Sequence, residues 1–583
     1  MSGSQPTYPT VSSFRTRSRR FSPPASTSWN RPRKQRSRRA AVIGRTFWSG
    51  PVYALLEGAE PDLRLLEDRD FVRHVSGSSI IGEREFVIKH ALTREVAYES
   101  LPRAKRARLH AGFADWLERV GGGRDEHASL LAHHYAEAAR PEDVDLAWQD
   151  DAELARIRGR AVTWLRRAAE LAVGRYEMQD GLSLLHRALA LEEGVPGRME
   201  LWRAIARANA LYWDAEEFWS AMHHAIELAD SDDATGDLYA ELAFQTLVRS
   251  GMWRTLPDRL LIDGWIDRAL ELSPAGTQRR AKALIARCYH DREKSLELAR
   301  EASDLAAGIG DTALVSYAFD VLGLTAFAAG DYEEALVWQQ RRVALADEID
   351  DPDHQADIYF NAISPAAACG EFEDARRYAQ AQLGITRALS PHHRLHGMLG
   401  VLLVDELAGT WPRIRQLQAE TERMVEENAA TPCIGNERLL LVCALAEMLE
   451  GDEDEARRLE RQSERHHMEG YGMVTGGPRL QLALQRGDLD RVRALLEEAW
   501  VRRTTWFHVS SLATRLDALA AIRDRDRLES EATRIATGSR YLEPFALRAL
   551  GLVRGDEQLV ERAAERFAAL GLDWHSARTR DLL

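Results

Sequence analysis

At 583 residues the chain is too long for one compact core, so several domains or a repeat array are expected. Hydrophobic residues make up 45% and charged residues 29%, as in ordinary folded proteins, and no apolar run approaches the roughly 20 residues that span a bilayer, which points to a cytoplasmic address. The net charge of −14 argues against general affinity for nucleic acid, because phosphate contacts need a basic face.

Residues 1–40 carry nine arginines, from Arg15 to Arg39, together with Lys34 and no acid. They hold few large apolar residues and no periodicity, and so predict a disordered basic tail. Arg19-Arg20 is shared with twin-arginine export signals, but Ser22-Pro23-Pro24 stands where the apolar stretch should follow. Pro23, Pro24 and Pro32 oppose the amphipathic helix of a transit peptide. A basic nucleic-acid arm is one remaining reading; a start foreign to the fold is the other.

From Ala41 the composition becomes that of a folded domain, and residues 41–145 predict a small winged-helix-like module. Ala41-Val42-Ile43-Gly44 reads as the end of a helix. Short helices are expected around Val52–Leu56 and Leu63–Glu67. Two strands, Phe71–Val75 and Glu85–Lys89, flank a stretch bearing glycine and serine, and all strand is expected within residues 68–90. Helices resume at Ala91–Ser100 and Arg103–Val120.

Several stretches of this module resemble one family. They are Ala41-Val42-Ile43-Gly44-Arg45-Thr46-Phe47-Trp48, then Phe86-Val87-Ile88-Lys89-His90-Ala91-Leu92-Thr93-Arg94-Glu95-Val96-Ala97-Tyr98, and Leu130-Leu131-Ala132-His133-His134-Tyr135. The text is similar to bacterial STAND-type regulators, over about residues 41–583 and most specifically over 41–135. The resemblance implies an AAA-like ATPase ahead of a winged-helix-like module and a tetratricopeptide sensor array. Members often add a cyclase domain or a LuxR-type DNA-binding domain. No G-x-x-x-x-G-K-[ST] stands in this sequence, so the cradle for the β- and γ-phosphates is missing. The expectation is a regulatory chain, not an enzyme, with no cofactor of its own and a start at Ala41 displaced from the family's. The resemblance also implies that His90 contacts the nucleotide state in an intact protein. Arg103, Lys105, Arg106 and Arg108 form a basic cluster, read as a solvated or ATPase-facing helix surface.

Residues 146–583 predict a repeat array. Gly330-Asp331-Tyr332-Glu333-Glu334-Ala335 recurs 40 residues later as Gly370-Glu371-Phe372-Glu373-Asp374-Ala375. Gly451-Asp452 with Ala456, Gly487-Asp488 and Gly555-Asp556 repeat the device, and Gly409-Thr410-Trp411 is a looser copy. The glycine ends one helix in the left-handed region, and the acid complements the next helix's dipole. Small alanines, with Gly323 inside the preceding helix, allow close helix approach while Tyr332 and Phe372 fill the hollow. This is the tetratricopeptide signature, with its period loosened from about 34 residues. The fold expected is therefore all-α, a tetratricopeptide α-solenoid after the small module.

Such a solenoid exposes a concave groove for a protein or peptide. Tyr317, Asp320, Asp357 and Phe360 are placed facing into it. Metal signals are weak: His133-His134, His223-His224, His392-His393 and His466-His467 are adjacent pairs whose side chains diverge by about 100° on a helix. The cysteines Cys288, Cys369, Cys433 and Cys443 form no C-x-x-C pair and read as buried helix residues of a reducing compartment. No metal ligand is assigned. A protein-interaction sensor arm is the leading function. The alternative is an ATP-dependent, LuxR-type transcriptional regulator or a cyclase-associated regulator whose catalytic domain lies elsewhere.

Overall fold

The computed structural model describes residues 39–55, 63–68, 70–80, 82–255, 257–291, 295–498 and 505–583. The basic tail at 1–38 lies outside the described residues. The chain divides into two units, residues 1–161 and 162–583.

In the first unit residues 39–43 are helical. Ala40, Ala41, Val42 and Ile43 are all buried there. Strand β1 (Thr46–Trp48), two short helices (Ser49–Ala54 and Arg64–Glu67), β2 (Val72–His74) and β3 (Glu85–Ile88) follow. The sheet is antiparallel with β3 in the middle, in the order β1-β3-β2. The expectation that all strand lies within residues 68–90 fails at β1. Three residues are too few to display an alternation; the strand is fixed by its partner instead. Phe47 sits opposite Phe86, both fully buried, with ring centroids 5.6 Å apart. Helices Ala91–Glu99, Arg103–Gly121 and Ala128–Ala138 follow.

The second unit is almost wholly helical, a tetratricopeptide-like α-solenoid of antiparallel pairs. The reason is local and repeated. Gly330, Gly370, Gly409, Gly451, Gly487 and Gly555 all adopt φ between 67° and 93°, a region that costs a residue with a Cβ but not glycine. The acids that follow do more than complement a dipole. Asp331 accepts from the backbone N–H of Glu334, Asp452 from Glu455, Asp488 from Arg491 and Asp556 from Leu559, each satisfying an orphan donor of the first turn. Ala335, Ala375 and Ala456 are fully buried, and Tyr332 and Phe372 nearly so. Gly323 lies so close to the next helix that a Cβ would stand 2.8 Å from Gln339.

The inner helices of successive pairs stack on one another, and the stack winds back on itself. Tyr471 donates its hydroxyl to the carbonyls of Ser250 (2.7 Å) and Trp253 (2.9 Å). Tyr541 donates to Leu407 O at 3.0 Å, Ser539 to Ala368 O at 2.9 Å, and Tyr176 to Asp351 at 2.7 Å. Helices Pro391–Ala408 and Ile434–Leu449 are consequently enclosed on nearly every side. One helix among the described residues, Thr312–Ala329, is long and apolar enough by composition to cross a membrane, which corrects the expectation of no such run. Just over half of it is buried among neighbours, and Asp320 at its middle is ion-paired with Arg342, as suits the inner member of a packed pair.

Candidate functional site

Of the residues placed in the groove from sequence, Tyr317, Asp320 and Asp357 lie around a buried arginine. Arg342, on helix Tyr332–Val343, has no solvent exposure. It donates to Ser316 Oγ (3.1 Å), Asp320 (2.9 Å) and Asp357 (2.5 Å). Asp320 also accepts from Tyr289, Gln339 and Asn361, so its carboxylate is fully engaged. Tyr317 stacks on His354 at 4.0 Å, and the His354 ring contacts Ser316 Oγ. Tyr317 and Asp320 are thus held by the chain's own partners. Asp357 and Phe360 are partly exposed; Phe360 lies between His396 and Phe507.

A second cluster adjoins the first through Asp353. Arg249 donates to Asp353 at 2.7 Å, and His393 Nε2 lies 3.0 Å from the other carboxylate oxygen. Burial alone would raise the Asp353 pKa; the Arg249 charge and the His393 bond outweigh it and hold it below the usual carboxylate range. One turn along, His392, His396 and Cys433 bring their ligand atoms within 4.8 Å of one another. His392 and His396 stand four residues apart on helix Pro391–Ala408, hence on one face. Cys433 is the N-cap of helix Ile434–Leu449, where its sulfur accepts from Gly435 N–H at 3.3 Å. His396 Nε2 lies 3.2 Å from Cys433 Sγ. His392 is 2% exposed, and neither of its ring nitrogens has a hydrogen-bond partner among the described residues. Trp213, itself at φ 64°, stacks on the His392 ring at 4.1 Å. Burial drives both imidazoles toward the neutral form, His392 well below its ordinary value and His396 to about 4, while it pushes the Cys433 thiol up to about 12.

In the first unit His90 is exposed at the start of helix Ala91–Glu99, and its side chain makes no cap bond among the described residues. Of the basic cluster, Arg103 pairs with Asp143, Arg106 covers the Tyr98 ring, and Arg108 donates to Ala147 O at 2.9 Å. His110, His133 and His134 converge as well. There His110 Nδ1 meets His134 Nδ1 at 2.8 Å and His110 Nε2 meets Tyr98 OH at 3.1 Å, so the His110 nitrogens are already partnered.

Reasoning from adjacent histidine pairs missed the His392–His396–Cys433 set. The signal was present as His392-x-x-x-His396, a helical spacing, but Cys433 lies 37 residues on and joins only through stacking of successive inner helices. Trp213 and Arg249 come from far earlier turns, and no sequence pattern connects them to His392.

The fold and its repeats define a tetratricopeptide-like α-solenoid. No known family description matches the sequence, and no curated protein is similar to it. Among solved structures it is similar to the STAND protein with a tetratricopeptide repeat sensor from Pyrococcus horikoshii, at 13% identity and a TM-score of 0.38. The alignment covers 80% of this chain and 65% of that one, so this chain spans slightly less than two thirds of that protein's length. It is also similar to the P58(IPK) TPR domain at 12% identity and a TM-score of 0.22, covering 72% of this chain and 98% of that one.

Proposed function

We propose that this chain is a cytoplasmic, non-catalytic interaction and sensor arm of a STAND-type regulator. The observation that carries the proposal is the repeated helix pair with its capped left-handed turns, a scaffold whose ordinary use is to present side chains to a protein or peptide. Asp357 and Phe360, the partly exposed members of the predicted groove set, are the contact residues in this reading. The strand order β1-β3-β2 between helices supports treating residues 41–145 as winged-helix-like. On the helix that follows, Leu92 is 74% and Val96 66% exposed, one turn apart and next to His90. That apolar strip suits a face packed on an ATPase domain in the parent architecture. DNA binding is less well supported, because Arg103 and Arg108 of the basic cluster are tied to the chain's own groups.

The test pairs calorimetry with capture. The purified chain is expected to bind no ATP at micromolar concentration. Capture of an interacting protein is expected to fall in a chain carrying Asp357→Ala and Phe360→Ala with unchanged helicity. Tight ATP binding would overturn the non-catalytic reading; unchanged capture would move the contact surface away from these two side chains.

A further inference from the structure

We infer that His392, His396 and Cys433 form a binding site for a divalent, borderline-soft metal ion of the zinc class. The donor set is the first reason. Two imidazoles and a thiol are what such an ion selects, and three protein ligands leave a fourth position for water or another ligand. Geometry is the second. An ion held at about 2.1 Å from nitrogen and about 2.3 Å from sulfur, with tetrahedral angles, separates the two donors by about 3.6 Å. His396 Nε2 and Cys433 Sγ already stand 3.2 Å apart, and all three ligand atoms fit within 4.8 Å.

The third observation is independent of the first two. His392 is 2% exposed, and both its nitrogens lack a hydrogen-bond partner among the described residues. Buried polar atoms in native interiors are nearly always satisfied, so an imidazole with two orphaned nitrogens calls for an explanation. An ion at the shared focus takes the lone pair of one of them. The neighbouring ring makes the contrast plain: His393 spends its nitrogens on Ser390 and Asp353. In the His110–His133–His134 cluster both nitrogens of His110 are taken up, by Tyr98 and His134, and His134 Nε2 lacks a partner among the described residues. On binding, the Cys433 thiol releases its proton to solvent and the thiolate becomes the ligand.

The experiment uses the full chain, stripped with chelator and titrated with Zn²⁺ and with Co²⁺ as a spectroscopic probe. One equivalent of Co²⁺ is expected to bind with a thiolate-to-cobalt charge-transfer band and the visible bands of a tetrahedral ion. Zn²⁺ is expected to displace it and to raise the melting temperature. Cys433→Ser should abolish the charge-transfer band, and His396→Gln should weaken binding by more than the about 10–100-fold that loss of an outer-shell partner causes. Cys443→Ser and His110→Gln should leave both unchanged. A thiolate band in the unaltered chain that persists through Cys288→Ser, Cys369→Ser and Cys443→Ser points to Cys433 even if Cys433→Ser fails to fold. No cobalt band, or a band that survives Cys433→Ser or is lost with His110→Gln, would overturn the assignment.

Discussion

Arg342 and Asp320 face each other across 2.9 Å with both side chains closed to solvent, one from each helix of a pair. A buried ion pair contributes little net stability over apolar residues of the same shape, but removing one partner strands the other charge, at about 3–5 kcal/mol. Arg342→Met leaves Asp320 with only neutral donors from Tyr289, Gln339 and Asn361. It is therefore expected to lower the urea midpoint strongly. Arg342→Met combined with Asp320→Leu should recover much of that loss. A double variant as unstable as the single one would show that shape, not charge, dominates at this position.

The bond from Tyr471 to Ser250 O and Trp253 O joins residues more than 200 positions apart. Tyr471→Phe keeps the ring and removes only the hydroxyl, leaving Trp253 O in need of a donor and Ser250 O with only the long bond from Trp253 N–H. The expected loss is about 1–3 kcal/mol. Hydrogen exchange should rise at residues 249–253 while the turns at Gly330 and Gly370 keep their protection. Equal loosening everywhere would mean that the seam is not a separate contact.

The turn residues give a test in which the sign changes. Gly330 has φ 82° and open space where a Cβ would stand, so Gly330→Ala adds backbone strain alone, about 1–2 kcal/mol. Arg523 occupies the same kind of turn at φ 56°, ahead of the capping Asp524. Arg523→Gly relieves strain there and is expected to stabilise by up to about 1 kcal/mol. Thermal melts of the two variants should therefore move in opposite directions.

These turns also show what the sequence could reveal. Where glycine supplies the left-handed residue and aspartate the cap, as at Gly330-Asp331 and Gly451-Asp452, the repeat is readable from residue types. Where Tyr176, Trp213 or Arg523 takes the left-handed position, the same device carries no sequence mark. That is why the turns at Tyr176 and Trp213 show no glycine signature in the sequence. Strand β1 escaped for a related reason: its three residues are held by pairing with β3, a non-local cause. Helical periodicity puts Tyr317, Asp320, Asp357 and Phe360 on helices, but it does not say what covers a face. Asp320 is covered by Arg342, and the middle helices by turns far along the chain. The metal-ligand set depended on a cysteine in the next repeat, which only the stacking of inner helices supplies.

His575 gives the pH dependence a defined sign. It is buried between Phe545 and Phe567, and its Nε2–H donates to Leu407 O at 3.1 Å, tying the last helix to the middle of the array. Burial first, then the charges of Arg548 and Arg578, lowers its pKa to about 3, against the partly opposing Leu407 bond. An unfolded chain takes up that proton near pH 6.5. The unfolded state therefore binds more protons between these values, and stability falls as the pH drops through that window. His575 contributes full stability above about pH 6.5 and loses it by about 1.4 kcal/mol per unit below. His110, lowered to about 3, and His508, lowered to about 4, by burial, add to the same slope. Asp405, raised by burial to about 6, acts the other way between about pH 4 and 6, where its folded form keeps a proton that the unfolded form releases. Urea midpoints from pH 7.5 to 4.5 should thus decline with acid, and His575→Gln should reduce the slope by about one proton whatever its effect on stability at pH 7.5. An unchanged slope in that variant would mean that His575 is not buried in its neutral form, and the closure of the last helix on Leu407 would have to be drawn differently.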